Sequence, residues 1–150
     1  MSTRTATIGE ALFGLATVAI RRRPRTLSLT AASVLSTLER TGPRRLTDLA
    51  VSEEVTQPSM TALVTQLADQ GLAERRRDAA DARVVLVAIT DAGSRRLRDM
   101  RAEGASTITD LIDKLDDCDA DALHDATPAL LRLIQLAGED QDSRTPLPKR

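Results

Sequence analysis

The sequence is almost without aromatic side chains: Phe13 stands alone, with no Trp and no Tyr in 150 residues. A core must therefore be packed from Leu, Val, Ile and Ala, a palette that leans toward helices rather than a β-sandwich. Cysteine is nearly absent too. Cys118 has no partner for an internal disulfide, so nothing points to an oxidising compartment. His124 is the only histidine, and no Cys or second His stands at metal-ligand spacing, so no zinc site is expected. The longest apolar run, Ala11 to Ile20, is about half of what a membrane span needs. Arg21, Arg22 and Arg23 follow that run, whereas a signal peptide carries its positive charge before the apolar stretch. The chain reads as soluble and cytoplasmic. There is no Gly-rich phosphate loop, no nucleophilic triad and no carboxylate pair, so neither catalysis nor a cofactor or metal is expected.

What is present is charge, unevenly spread. The chain holds 21 basic and 22 acidic side chains, a net −1. Residues 1–101 carry 16 basic against 11 acidic groups, a net +5, and residues 102–150 carry 5 against 11, a net −6. Such asymmetry hints at nucleic-acid or membrane contact. The length suits one domain.

Residues 9–22 place Leu12, Leu15, Ala16, Ala19 and Ile20 at helical spacings, and Pro24 ends that segment. A second helix is expected from about Thr30, as N-cap, through Val34, Leu35 and Leu38 to Arg40, closed by Thr41-Gly42-Pro43. Leu46, Leu49 and Ala50 mark a short helix. The next opens at Thr56, a second N-cap candidate, with Pro58 tolerated in the first turn. Met60, Leu63, Val64 and Leu67 form its apolar stripe and Gly71 its stop. Then the periodicity changes. Leu72–Arg77 and Arg83–Thr90 read as two strands around the turn Asp78–Ala82. A long helix is expected from Thr90 or Asp91 toward Leu115, weakened midway by Gly104. Asp116 to Asp119 interrupt it. A last helix spans about 120–137, with Pro128 kinking it or marking its true start. From Gly138 the chain reads as a flexible tail.

A short helix, a tight turn and an amphipathic helix make a helix-turn-helix, whose second helix can enter a major groove. A β-hairpin directly after it is a wing. Leu46–Gln70 supply the first and Leu72–Thr90 the second. In this order the chain resembles the MarR-type (multiple-antibiotic-resistance regulator) winged helix-turn-helix family. The resemblance rests on Leu29-Thr30 with Val34-Leu35, Leu46-Thr47-Asp48-Leu49-Ala50, and Gln57-Pro58-Ser59-Met60-Thr61 with Leu63-Val64 and Leu67. It extends through Gly71-Leu72 with Arg75-Arg76, and through Asp81-Ala82-Arg83 followed by Ile89-Thr90 and Gly93. It covers about residues 10–137. The resemblance implies a mostly helical fold with a small β-hairpin wing. Dimerisation helices would lie at about 8–28 and 104–138, the winged helix-turn-helix at about 29–100, and a tail at 139–150. It further implies a homodimer whose terminal helices interleave, and a crevice that takes a small aromatic or anionic effector.

The expected DNA-binding residues follow. On the recognition helix they are Thr56, Gln57, Pro58, Ser59, Thr61, Ala62 and Thr65, of types able to bond bases or touch a thymine methyl. On the wing they are Arg75, Arg77, Asp81 and Arg83. Arg83 is expected in a minor groove, with Asp81 orienting its guanidinium. Arg44, Arg45 and Thr47 are candidates for the DNA backbone. From Leu46 to Glu74 there is no basic residue, and five acidic ones give a net −5; the family often has arginine where this chain has Ala62. Charge to meet phosphates must come from the flanks.

Other features have plainer readings. Peroxide-sensing relatives carry their thiol near the N-terminus, where this chain has none, so Cys118 reads as incidental. The acidic cluster 116–121 reads as a helix-capping loop rather than a cation site. Arg21 to Arg23 and Arg25 suit a helix C-terminus as well as an anion site. The expected function is a homodimeric transcriptional repressor that binds a double-stranded operator and is released by a small ligand. The alternative is a winged-helix adaptor or ligand-sensing dimer with weak DNA affinity.

Overall fold

The structure, a computed structural model, describes residues 3–22 and 26–144, and side-chain surroundings through Gly138. Arg23, Pro24, Arg25 and the tail from Thr145 lie outside the described residues. Helix α1 spans Thr3–Arg22, α2 Leu29–Thr41, α3 Leu46–Ser52, α4 Gln57–Asp69, α5 Asp91–Ile112 and α6 Asp117–Arg144. Strands β1 (Arg44–Arg45), β2 (Ala73–Arg77) and β3 (Val85–Ile89) form an antiparallel sheet in the order β1-β3-β2.

The core sits where α2, α3, α4 and the sheet converge. Leu35, Leu38, Leu49, Met60, Leu67, Leu97, Val34, Val64 and Val87 are its largest fully buried side chains. Burying each contributes about 1.5–3 kcal/mol. The stripe expected on α4 is the buried one, with Leu63 packed at its margin. Helix α2 starts one cap earlier than its sequence suggests. Ser28, not Thr30, is the N-cap, accepting from the Ala31 N–H at 3.1 Å. The strand pair is joined by a third strand that the sequence does not advertise, because two residues carry no periodicity. Helix α1 begins at Thr3 rather than near residue 9.

The largest departure is at the C-terminus. Asp116 accepts from the Asp119 N–H at 2.8 Å, so the acidic cluster caps α6 at Asp117. That helix continues past Pro128, which sits inside it, and past Gly138 to Arg144. Pro128 is exposed, so the carbonyl it leaves without an intrahelical donor can be met by water. The expected flexible tail is thus helical as far as Arg144.

Thr90 joins wing to helix. Its hydroxyl donates to the Gly71 carbonyl at 2.6 Å and accepts from the Gly93 N–H at 3.0 Å, capping α5. Gly71, at φ +70°, turns the chain from α4 into β2. Thr90→Ala removes both bonds and should cost about 1–2 kcal/mol, read as a lower urea midpoint. Thr90→Ser should restore most of it.

Candidate nucleic-acid interface

The helix-turn-helix is α3 and α4 joined by Glu53–Thr56. Thr56 caps α4: its hydroxyl oxygen accepts from the Ser59 N–H at 3.4 Å and lies 2.9 Å from the Ser59 Oγ. Gln57, Pro58, Ser59, Thr61, Ala62 and Thr65 are all exposed, so the expected reading face of α4 is presented to solvent. Thr61 and Thr65 donate their hydroxyls to the carbonyls one turn back, at 2.8 Å each. With those donors engaged, the two threonines offer hydroxyl oxygens as acceptors together with methyl groups, and Gln57 adds an amide donor and acceptor.

The wing is held by carboxylates. Asp78 Oδ1 accepts from the Ala80 and Asp81 N–H groups at 2.7 and 3.2 Å, and the Asp78 N–H donates to the Val84 carbonyl at 2.9 Å. Asp81 does not orient the Arg83 guanidinium as expected. Its carboxylate accepts the backbone N–H of Arg83 at 2.9 Å, fixing the turn instead. Arg83 lies exposed in that turn, not on the strand.

The register sorts the arginines. Residues opposite one another across the sheet share a face. Arg44 pairs with Val87, which faces the core, and is itself buried at 7% exposure, its Nε donating to the Thr41 hydroxyl at 2.9 Å. Arg44 is therefore removed from the DNA-backbone candidates: its guanidinium is used inside the fold. Arg45 pairs with Leu86 on the opposite face and is exposed, and Thr47 is exposed on the first turn of α3. Arg76 forms an ion pair with Glu74. Arg75, across from Val87, donates from Nη2 to the Thr65 hydroxyl of α4 at 2.9 Å. Arg45, Arg77 and Arg83 are exposed and engage no carboxylate among the described residues.

Outside the winged domain, α1 has no buried residue and α6 none among its described side chains. Phe13 is 76% exposed and Ile134 68%, with Leu15, Ile20, Leu131 and Leu133 also in the open. A cleft of about 850 Å³ lies between the end of α1, the start of α2 and the flank of α4, lined by Arg21, Thr26, Leu63, Gln66 and Gln70 among others. Among the described residues no helix is long and apolar enough to cross a membrane.

A capped amphipathic helix after a short helix and turn, followed by a β-hairpin whose turn exposes an arginine that engages no carboxylate among the described residues, defines a winged helix-turn-helix of DNA-binding type. Comparison with known proteins narrows this. The MarR family model matches residues 27–85. The chain is 32% identical over 114 residues to an HTH-type transcriptional regulator of Mycobacterium leprae, covering 75% of this chain and 80% of that protein. A counterpart in Mycobacterium bovis is 31% identical over 108 residues, covering 72% and 76%. Among solved structures, a transcriptional regulator from Thermotoga maritima superposes with a TM-score of 0.69 at 20% identity, over 90% of this chain and 96% of that one. A Staphylococcus aureus MepR variant bound to an oligodeoxyribonucleotide gives 0.64 at 15% identity, over 89% and 99%. The chain belongs to the MarR family and is a DNA-binding transcriptional regulator.

Proposed function

We propose that this regulator is a cytoplasmic homodimeric repressor that binds a pseudo-palindromic operator and releases it on binding a small anionic or aromatic molecule. The observation that carries the reading is the shared exposed surface of α4 and the wing. Gln57, Ser59, Thr61 and Thr65 offer base-bonding groups there, and Arg77 and Arg83 have no internal partner among the described residues. Two such surfaces, related by a two-fold axis, would enter major grooves about one helical turn apart. The apolar faces of α1 and α6 support the dimer, since large side chains such as Phe13 and Ile134 are otherwise left in water. The cleft beside α4 supports the effector: Arg21 brings a cation to it and Leu63 an apolar wall.

Arg45, Arg77 and Arg83 give about three phosphate-reaching cations per subunit, or six per dimer. The logarithm of affinity should then fall with the logarithm of salt at a slope of about −5. The experiment combines light scattering with a gel-shift titration of the region upstream of its own gene at two salt concentrations. The expected result is twice the 16.2 kDa chain mass and a salt-sensitive shift. A dimer that shifts nothing at low salt would favour an adaptor, a reading supported by the net −5 of Leu46–Glu74.

A further inference from the structure

The recognition helix has no cation of its own, yet one guanidinium lies on its exposed face. Between Leu46 and Glu74 the sequence contains no Lys or Arg. Arg75, the next residue, is on the face of β2 that carries buried Ala73 and opposes buried Val87. That face packs on Met60, Val64 and Leu67 of α4. Arg75 is exposed, and its long side chain leaves β2 on the face turned toward α4, whereas Arg76 on the other face pairs with Glu74. The Arg75 side chain runs out along α4, and its Nη2 meets the Thr65 hydroxyl at 2.9 Å.

Thr65 shares one stripe of α4 with Gln57 and Thr61, at intervals of four residues. The groups beside it toward the start of the helix are small, Thr61 one turn back and Ala62 three residues back, and Asp69 lies one turn on. Small side chains leave room for a guanidinium lying against the helix. The Thr65 hydroxyl donates to the Thr61 carbonyl, so the oxygen that Arg75 meets is fixed in orientation. Arg75 has no carboxylate partner among the described residues, and a guanidinium has five N–H donors, of which this bond uses one. The rest are open beside a face whose own side chains carry no positive charge.

We propose that Arg75 is a specificity-determining residue of this regulator, a strand-borne guanidinium held against α4 by Thr65 that reads guanine in the major groove. Guanine presents O6 and N7 acceptors there, the pair a planar guanidinium fork matches. Arg75 thereby supplies the cationic donor fork that the sequence of α4 lacks, and Thr65 is its positioning residue. The proposal rests on the DNA-binding reading above, with α4 in the groove.

The test is selection of binding sites from a random-core double-stranded DNA library by the wild-type protein, Arg75→Ala and Thr65→Val, each checked for an unchanged melting temperature. The wild type is expected to enrich a palindrome with a guanine at one symmetric position per half-site. Arg75→Ala should lose that preference while keeping the others, with roughly ten- to hundredfold weaker binding to the guanine-bearing site. Thr65→Val, close in shape but without the hydroxyl, should blur the same position. An Arg75→Ala protein that selects the wild-type motif but binds all DNA more weakly, with a salt slope shallower by about one per subunit, marks a phosphate contact and overturns the proposal. A wild-type protein that enriches no motif overturns the underlying reading itself, an outcome distinct from a motif indifferent to Arg75.

Discussion

Arg83→Ala should abolish specific operator binding while leaving the fold and the dimer intact. The wing turn does not use the Arg83 side chain. Its bonds run from the Ala80, Asp81 and Arg83 backbone N–H groups to the carboxylates of Asp78 and Asp81, and between Asp78 and Val84. Alanine keeps every one of these. What it removes is an exposed guanidinium with no internal partner among the described residues, in the turn just before β3. An arginine presented there suits a narrow minor groove, where the potential is most negative. The loss should be about 1–3 kcal/mol for each wing, and so roughly thirtyfold or more for the two together. Fluorescence anisotropy on the operator at physiological salt, beside a thermal melt, reads both quantities. Wild-type affinity in this variant would sink the assignment. Asp81→Ala makes a useful contrast: its effect should come through a loosened turn, so it should also weaken hydrogen-exchange protection at the Arg83 amide.

The parts of this molecule that were legible in its sequence are those decided by neighbours along the chain. The Thr56 cap, Pro58 in the first turn and the stripe Met60-Val64-Leu67 are local, and the structure has them where the pattern places them. The start of α5, expected at Thr90 or Asp91 and found at Asp91 with Thr90 as its cap, belongs to the same group. Where two hydroxyl residues compete, the pattern misleads: Ser28 and Thr30 are equally good caps, and Leu29 inside the helix is exposed, so periodicity gives no vote. Breakers mislead in another way. Pro128 reads as a kink or a start and Gly138 as the beginning of a tail, yet α6 carries both, and its N-terminal boundary is set by the Asp116 cap upstream. The rest was decided across the sheet. Strand β1 exists because Arg44 and Arg45 pair with Val87 and Leu86, and that register buries one arginine and exposes the next. The same register turns Arg75 toward Thr65 and Arg76 toward Glu74. A row of arginines in sequence is a charge count; only the pairing says which of them face DNA.

Gly93→Ala should be among the most damaging single-atom-group additions in the protein, and the reason lies in how α5 starts. A β-carbon at position 93 would stand 2.1 Å from the Leu72 carbonyl oxygen and 2.8 Å from the Ile89 Cγ1. The side-chain contact could be relieved by a rotamer change, but the carbonyl cannot move far. Leu72 donates its N–H to the Leu67 carbonyl at 2.8 Å and accepts the Thr90 N–H at 3.1 Å, so it is tied to the end of α4 and to the end of β3 at once. Gly71, beside it, accepts the Thr90 hydroxyl. Relief must therefore come from lifting α5 off the hairpin, which breaks the Thr90 cap and shifts the wing against α4. Overpacking of this kind costs about 1–3 kcal/mol, and a backbone oxygen as the obstacle puts the expectation at the upper end. For a chain of this size that is a fall of roughly 5–10 °C in melting temperature by calorimetry. Because the displaced element carries Arg75, Arg77 and Arg83, operator affinity should fall even at temperatures where the variant remains folded. Gly104→Ala supplies the internal comparison: it sits in the same helix with no atom within 4 Å of the added carbon, and should raise stability by up to about 1 kcal/mol. Were Gly93→Ala to melt with the wild type, the close approach of α5 to Leu72 would be wrong, and with it the geometry that fixes the wing beside the recognition helix.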